Sequence, residues 1–183
     1  MLNIYIKRSL VILLVILMLA PLYYLKYSLD LTYVSSNSIN PTFLITDNGK
    51  LELGKYITFN VAPYLRKVKG ADQNKVDKLL EGKDNYLLAS KRLACLAGSS
   101  LTSREIAAEK RWYCDNKYIA NQIILKKMFT PPEQVKKTTT HIPANTAFVL
   151  GDNLKDSVDS RYFGLIDLTK DYRLQQPINH LFN

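Results

Sequence analysis

The stretch SSNSINPTF, Ser35 to Phe43, sets Ser36 and Ser38 two residues apart, with Pro41 and Thr42 just beyond. Ser, Asn and Pro are ordinary loop formers, so by itself the stretch reads as a turn, with Ser36 as a turn cap. A serine does covalent chemistry only where a neighbouring base can take its hydroxyl proton. The two histidines, His141 and His180, lie far apart, and the surroundings of His141, TTTHIPANT, read as loop. That leaves little from which to build a Ser-His-Asp triad. A lysine is the other available base, provided apolar, water-poor surroundings destabilise its ammonium form. Lys91 is flanked by Leu87, Leu88, Ala89, Leu93 and Ala94, which suits a buried strand; the plainer alternative is one exposed strand lysine. Neither Cys95 nor Cys114 stands at metal-ligand spacing to a histidine, so no metal site is expected, and chemistry of this kind needs no cofactor.

The elements that would position these residues are short and extended. Lys55 to Ala62, KYITFNVA, alternates and is rich in aromatic and β-branched residues, as a half-buried strand does. Asn85 to Gly98, NYLLASKRLACLAG, reads as a second extended run and Asn145 to Asn153, NTAFVLGDN, as a third that stops at a Gly-Asp-Asn turn. The three should share a sheet. Between the first two, a short surface helix is expected from about Asp72 to Glu81, closed by Gly82. A second helical insert is expected from Ser103, an N-cap candidate, through REIAAEKRW. The fold class is mainly β with small helical inserts.

The N-terminus differs in kind. After Lys7 and Arg8, the run Ser9 to Leu25 carries no charged residue and is about as long as the shortest helices that cross a bilayer. Retained, it is a single transmembrane anchor; removed, a secretory signal. Retention is favoured because no small-x-small cleavage site follows the run, Ala20 precedes Pro21, and Tyr23 and Tyr24 suit a membrane interface. Residues 1–28 then form a cytoplasmic tip and anchor, and residues 29–183 an exported domain. Lys26 weakens the charge asymmetry that sets this orientation. In an oxidising compartment Cys95 and Cys114 could pair, or both could remain buried thiols.

The 183 residues hold 25 Lys and Arg against 16 Asp and Glu, a formal charge of +9. Such charge suits nucleic acid, anionic lipid or an acidic partner. The basic residues are scattered and no nucleic-acid-binding signature organises them, so no nucleic acid partner is expected.

Taken in order behind an anchor, SNSINPT, SKRLACLAG and VLGDNLKDSVDSRYFG resemble the boxes of the type I signal peptidases, membrane-bound serine proteases that use a Ser-Lys dyad. The third box is the most specific. In the first, Ile39 stands where the family usually has Met; in the second, Cys95, Ala97 and Ser99 replace the family's common Gly, Pro and Asp. The boxes span Ser36 to Gly164, and the short length, single anchor and lax second box look most like the TraF-type branch, which matures pilin precursors in conjugative transfer. The resemblance implies a signal-peptidase-like β domain with Ser38 as nucleophile and Lys91 as general base. It also implies Ser36 and the Ser38 backbone N–H as oxyanion donors, Ser157 as the hydroxyl orienting Lys91, and Asp159 with Arg161 as a supporting ion pair. Gly151, Asp152 and Asn153 would be turn-formers that hold the third box in place rather than take part in the chemistry.

The implied partners are a membrane-bound precursor with a signal segment, a propilin in the TraF-type case, and the lipid bilayer. The implied location is the bacterial inner membrane with the catalytic domain periplasmic. Only about a dozen residues separate Leu25 from Ser38, so the nucleophile would stay near the membrane surface, with Ile39, Phe43 and Leu44 dipping into lipid. A housekeeping signal peptidase and a non-catalytic anchored assembly factor are the rival readings. The sequence leaves open the substrate, hydrolysis against cyclisation, and the oligomeric state.

Overall fold

The computed structural model describes residues 2–28, 30–68, 71–106, 109–121 and 138–179; His180 falls outside them. The chain opens with a 27-residue helix, α1 (Leu2–Ser28). Its segment Arg8–Ser28 is long and apolar enough, by length and composition, to cross a membrane. Two short strands follow, β1 (Thr32–Tyr33) and β2 (Phe43–Thr46), then β3 (Tyr56–Asn60), α2 (Ala62–Leu65), α3 (Gln73–Leu80) and β4 (Leu88–Leu96). After these come β5 (Ser100–Ile106), β6 (Glu109–Cys114), β7 (Lys117–Asn121), β8 (Thr138–His141) and β9 (Thr146–Leu150). The described chain closes with α4 (Ser160–Phe163), β10 (Ile166–Asp167) and β11 (Tyr172–Pro177).

The three runs expected to share a sheet do so. β3, β4 and β9 are consecutive in a seven-stranded sheet of order β1-β2-β11-β3-β4-β9-β10, and every described pairing in it is antiparallel. Period-2 alternation places Ile57, Phe59, Leu93, Ala147 and Val149 in one core, where Leu65 of α2 and Val76 and Leu80 of α3 join them. Each large apolar side chain so buried contributes about 1.5–3 kcal/mol. α3 lies where its sequence put it: the Asp72 side chain caps it by accepting from Lys75 N, and Gly82 beyond it adopts φ +68°.

The helix expected from Ser103 is not formed. Ser103 lies inside β5, which pairs antiparallel with β6 and β8 in a second, four-stranded sheet of order β7-β6-β5-β8. Its hydroxyl bonds Thr138 Oγ1 at 2.9 Å and the residue is buried. Cross-strand pairing on both sides of β5 overrides the local helical propensity. The stretch around His141, read as loop, likewise forms β8, with His141 exposed opposite Ser100.

Cys95 and Cys114 form a disulfide, tying β4 of the first sheet to β6 of the second. Around it Phe148, Leu150, Leu101 and Ala120 make a separate core, with Trp112 packed against it. A bulge on β4 between Leu93 and Cys95 shifts the register with β9 just beside this link.

Candidate active site

The Ser36–Ser38 segment is the loop joining β1 to β2. Val34 N donates to Thr42 O at 2.9 Å and closes its base. Ile39, next to Ser38, packs with Leu44 and Tyr56 in a small buried cluster. Ile39 and Leu44 are therefore interior residues that anchor the loop, and the expectation that they meet lipid is wrong; of the three, Phe43 alone is exposed. With its neighbour anchored, Ser38 is only 7% exposed. Ser36 Oγ and Ser38 Oγ lie 2.9 Å apart, within hydrogen-bond reach.

Lys91 sits in the middle of β4, opposite Ile57 of β3. It is 4% exposed, and burial pulls its pKa from 10.5 down to about 8. The charge of Asp159 works against that fall, that of Arg161 assists it, and Asp152 opposes it more weakly. Its Nζ donates to Ser157 Oγ at 3.0 Å.

The segment 151–161 is held from within. Asp159 and Arg161, both with fully buried side chains, pair at 2.8 Å. The Asp159 carboxylate also accepts from Gly151 N at 2.9 Å and from Arg161 N, capping α4. Arg161 spends its remaining donors on the carbonyls of Leu154, Ser157 and Asn121. A buried guanidinium with every face answered is the condition under which such a pair is tolerated. Close packing here leaves no room for a side chain at Gly151: a Cβ would fall 2.1 Å from Ser157 Oγ and 2.5 Å from Ser38 O. Asn153 N donates to that same Ser38 carbonyl at 3.3 Å.

Asp152 does more than shape a turn. Its carboxylate accepts from Arg92 Nε at 2.7 Å, from Tyr56 Oη at 2.8 Å and from Asn40 N at 3.0 Å. One side chain thus links β4, β3 and the serine loop. Burial first, and the bond to Asp152 next, push the Tyr56 hydroxyl pKa up, so it stays a donor. Arg92 adjoins Lys91 in sequence and was available as a signal; nothing local marks Tyr56.

Ser36, Ser38 and Lys91 line one cavity of about 500 Å³, together with Thr32, Val34 and Leu87. Among the described residues no hydrogen bond joins Ser38 Oγ to Lys91 Nζ; bonds of this kind commonly tighten only in the substrate complex. A serine hydroxyl and a lysine that sheds its proton near pH 8, opening on one cavity, can act as nucleophile and base. Ser157 is hydrogen-bonded to the lysine, and the charges of Asp159 and Arg161 act on it in opposite senses. Among the described residues no group of His, Cys, Asp and Glu is arranged to hold a metal ion.

A family model described as signal peptidase, peptidase S26, matches residues 3–171. No curated protein matches the sequence. Among solved structures, a signal peptidase I from Enterococcus faecalis V583 is 21% identical, covering 67% of this chain and 94% of its own, with a TM-score of 0.38.

Proposed function

The chain belongs to the peptidase S26 family of signal peptidases and is a serine-type signal peptidase; from that premise we propose that it works through a Ser38-Lys91 dyad at the cavity between β4 and the β1–β2 loop. The carrying observation is the buried Lys91 amine, 3.0 Å from Ser157 and in the wall of the cavity that also holds Ser38. In this reading neutral Lys91 takes the Ser38 proton as Oγ attacks the scissile carbonyl. The tetrahedral oxyanion is met by the Ser38 backbone N–H and the Ser36 hydroxyl. Lys91 then gives its proton to the leaving amine, and the acyl-enzyme is resolved by water or by the product's own amine.

The substrate class is a precursor protein with a signal segment. We propose further that α1 anchors the enzyme in the inner membrane with the catalytic domain on the periplasmic side. For the finer role we propose pilin maturation in conjugative transfer, supported by Ile39, Cys95 and Ala97, which depart from the residues that general signal peptidases usually carry at those positions. The test is cleavage of a propilin in membranes, read by intact mass, with wild type beside Ser38→Ala and Lys91→Ala. Loss of processing in both supports the dyad, and the product mass separates hydrolysis from cyclisation. Wild-type processing by either variant removes the dyad assignment.

A further inference from the structure

The wall of the cavity contains a line of polar side chains that the dyad chemistry leaves unused. Thr32, Thr58 and Ser90 all line the cavity with Ser38 and Lys91. They come from β1, β3 and β4, and Gln175 of β11, fully buried, joins them. Thr58 Oγ1 donates to Gln175 Oε1. Gln175 Nε2 donates to Thr32 Oγ1 at 2.6 Å. Ser90 Oγ lies 2.6 Å from Thr58 Oγ1, directly across the β3–β4 pairing.

Proton counting gives this chain a direction. A hydroxyl has one proton and two lone pairs. The Thr58 proton goes to Gln175, so Ser90 must be the donor in the bond it shares with Thr58. The Ser90 oxygen therefore offers lone pairs, and no proton, to the cavity. At the far end Thr32 receives an amide proton from Gln175, and its own hydroxyl proton remains to be donated elsewhere. Buried Thr58 and Gln175 satisfy each other, and Gln175 also reaches Thr32, so the chain is held in one arrangement behind the cavity wall.

We infer that the Ser90–Thr58–Gln175–Thr32 chain is a specificity element: it favours precursors in which the side chain facing Ser90 is small and carries a hydrogen-bond donor, serine above alanine. The inference rests on the reading that this cavity is the peptidase's substrate site. Alanine fills nearly the same volume but leaves the fixed acceptor unanswered, a loss of about one neutral hydrogen bond, roughly tenfold in rate. Valine would meet the same acceptor with a methyl group.

The test uses the full chain in lipid vesicles with synthetic precursor peptides carrying a signal segment, each with Ser, Ala or Val at one of the three residues before the cleaved bond. The expected result is one position at which kcat/KM for Ser exceeds that for Ala by about tenfold. In Ser90→Ala, and independently in Thr58→Val, that ratio should fall to within about twofold, both variants being assayed below their melting transitions. A purely structural role would lower all three peptides alike and leave the ratio intact, which overturns the inference, as does the lack of any Ser preference in wild type. Failure of wild type to cleave any peptide is a different result: it removes the assignment of the cavity itself.

Discussion

Lys91 Nζ and Ser157 Oγ meet at 3.0 Å in a spot where Ser157 is fully buried and Lys91 nearly so. The amine has few orientations left, because Ser157 is itself packed against Gly151 and its carbonyl accepts from Arg161. In the proposed dyad, a base whose lone pair must face Ser38 gains from such restraint. Ser157→Ala should lower kcat by about one to two orders of magnitude while changing KM little, since the hydroxyl acts on the base and not on the bound precursor. Steady-state kinetics on a single precursor decide this; a rise in KM at unchanged kcat would assign Ser157 to binding instead.

The same burial sets the pH dependence. Lys91 loses its proton near pH 8, and the neutral amine is the form that can act as base. kcat/KM should therefore rise with pH through a midpoint of about 8 and level off above it. A profile flat from pH 6 to 9, or one with a midpoint near that of an exposed lysine, would count against Lys91 as the base.

How far the site could be read in advance differs from residue to residue, for a physical reason. Ser38, Lys91, Ser157, Asp159 and Arg161 come from three short segments that resemble family boxes, and the fold brings Ser38 and Lys91 to one cavity and Ser157 to the lysine. Asp152 carries no such signal for its true role, because its partners Tyr56, Arg92 and Asn40 come from three other segments. The same holds for Gln175, which reaches Thr58 and Thr32 across 117 and 143 residues. Strand periodicity marked β3, β4 and β9 because each has a buried face of its own. The segment from Ser103 through Trp112 reads as helix because it is rich in good helix formers, whereas pairing of β5 with β8 and of β6 with β7 makes strands of its described residues.

Burying Lys91 also weakens the fold, and the sign can be worked out. The folded-state pKa of about 8 lies below the ordinary value of 10.5, so below pH 8 both folded and unfolded chains carry the proton and the cost of the buried charge is fully present. That cost is about 3 kcal/mol. Between pH 8 and 10.5 the unfolded chain binds more protons, so stability rises through that window. Lys91→Met should be inactive yet more stable than wild type at pH 7, by about 1–3 kcal/mol once the lost Ser157 bond is allowed for. The advantage should shrink above pH 10. Urea denaturation at pH 7 and at pH 10.5 tests both statements, and a variant less stable than wild type at pH 7 would contradict them.

The Cys95–Cys114 disulfide couples the second sheet to the strand that carries Lys91. Its two cysteines are separated by 19 positions, a loop for which closing the unfolded chain is worth about 3 kcal/mol. The second sheet is also reached by Arg161, whose Nη1 donates to Asn121 O of β7 at 2.9 Å. Loosening β6 and β7 should thus cost stability first and then disturb the Asp159-Arg161 pair behind Lys91. Reduction, or replacement of both cysteines by alanine, should lower Tm by roughly 6–12 °C and reduce processing at temperatures near the new transition, while activity well below it is largely kept. Melting curves with and without reductant check the first part; if both cysteines titrate as free thiols in the untreated protein, or if Tm is unmoved by reduction, the disulfide carries none of this stability.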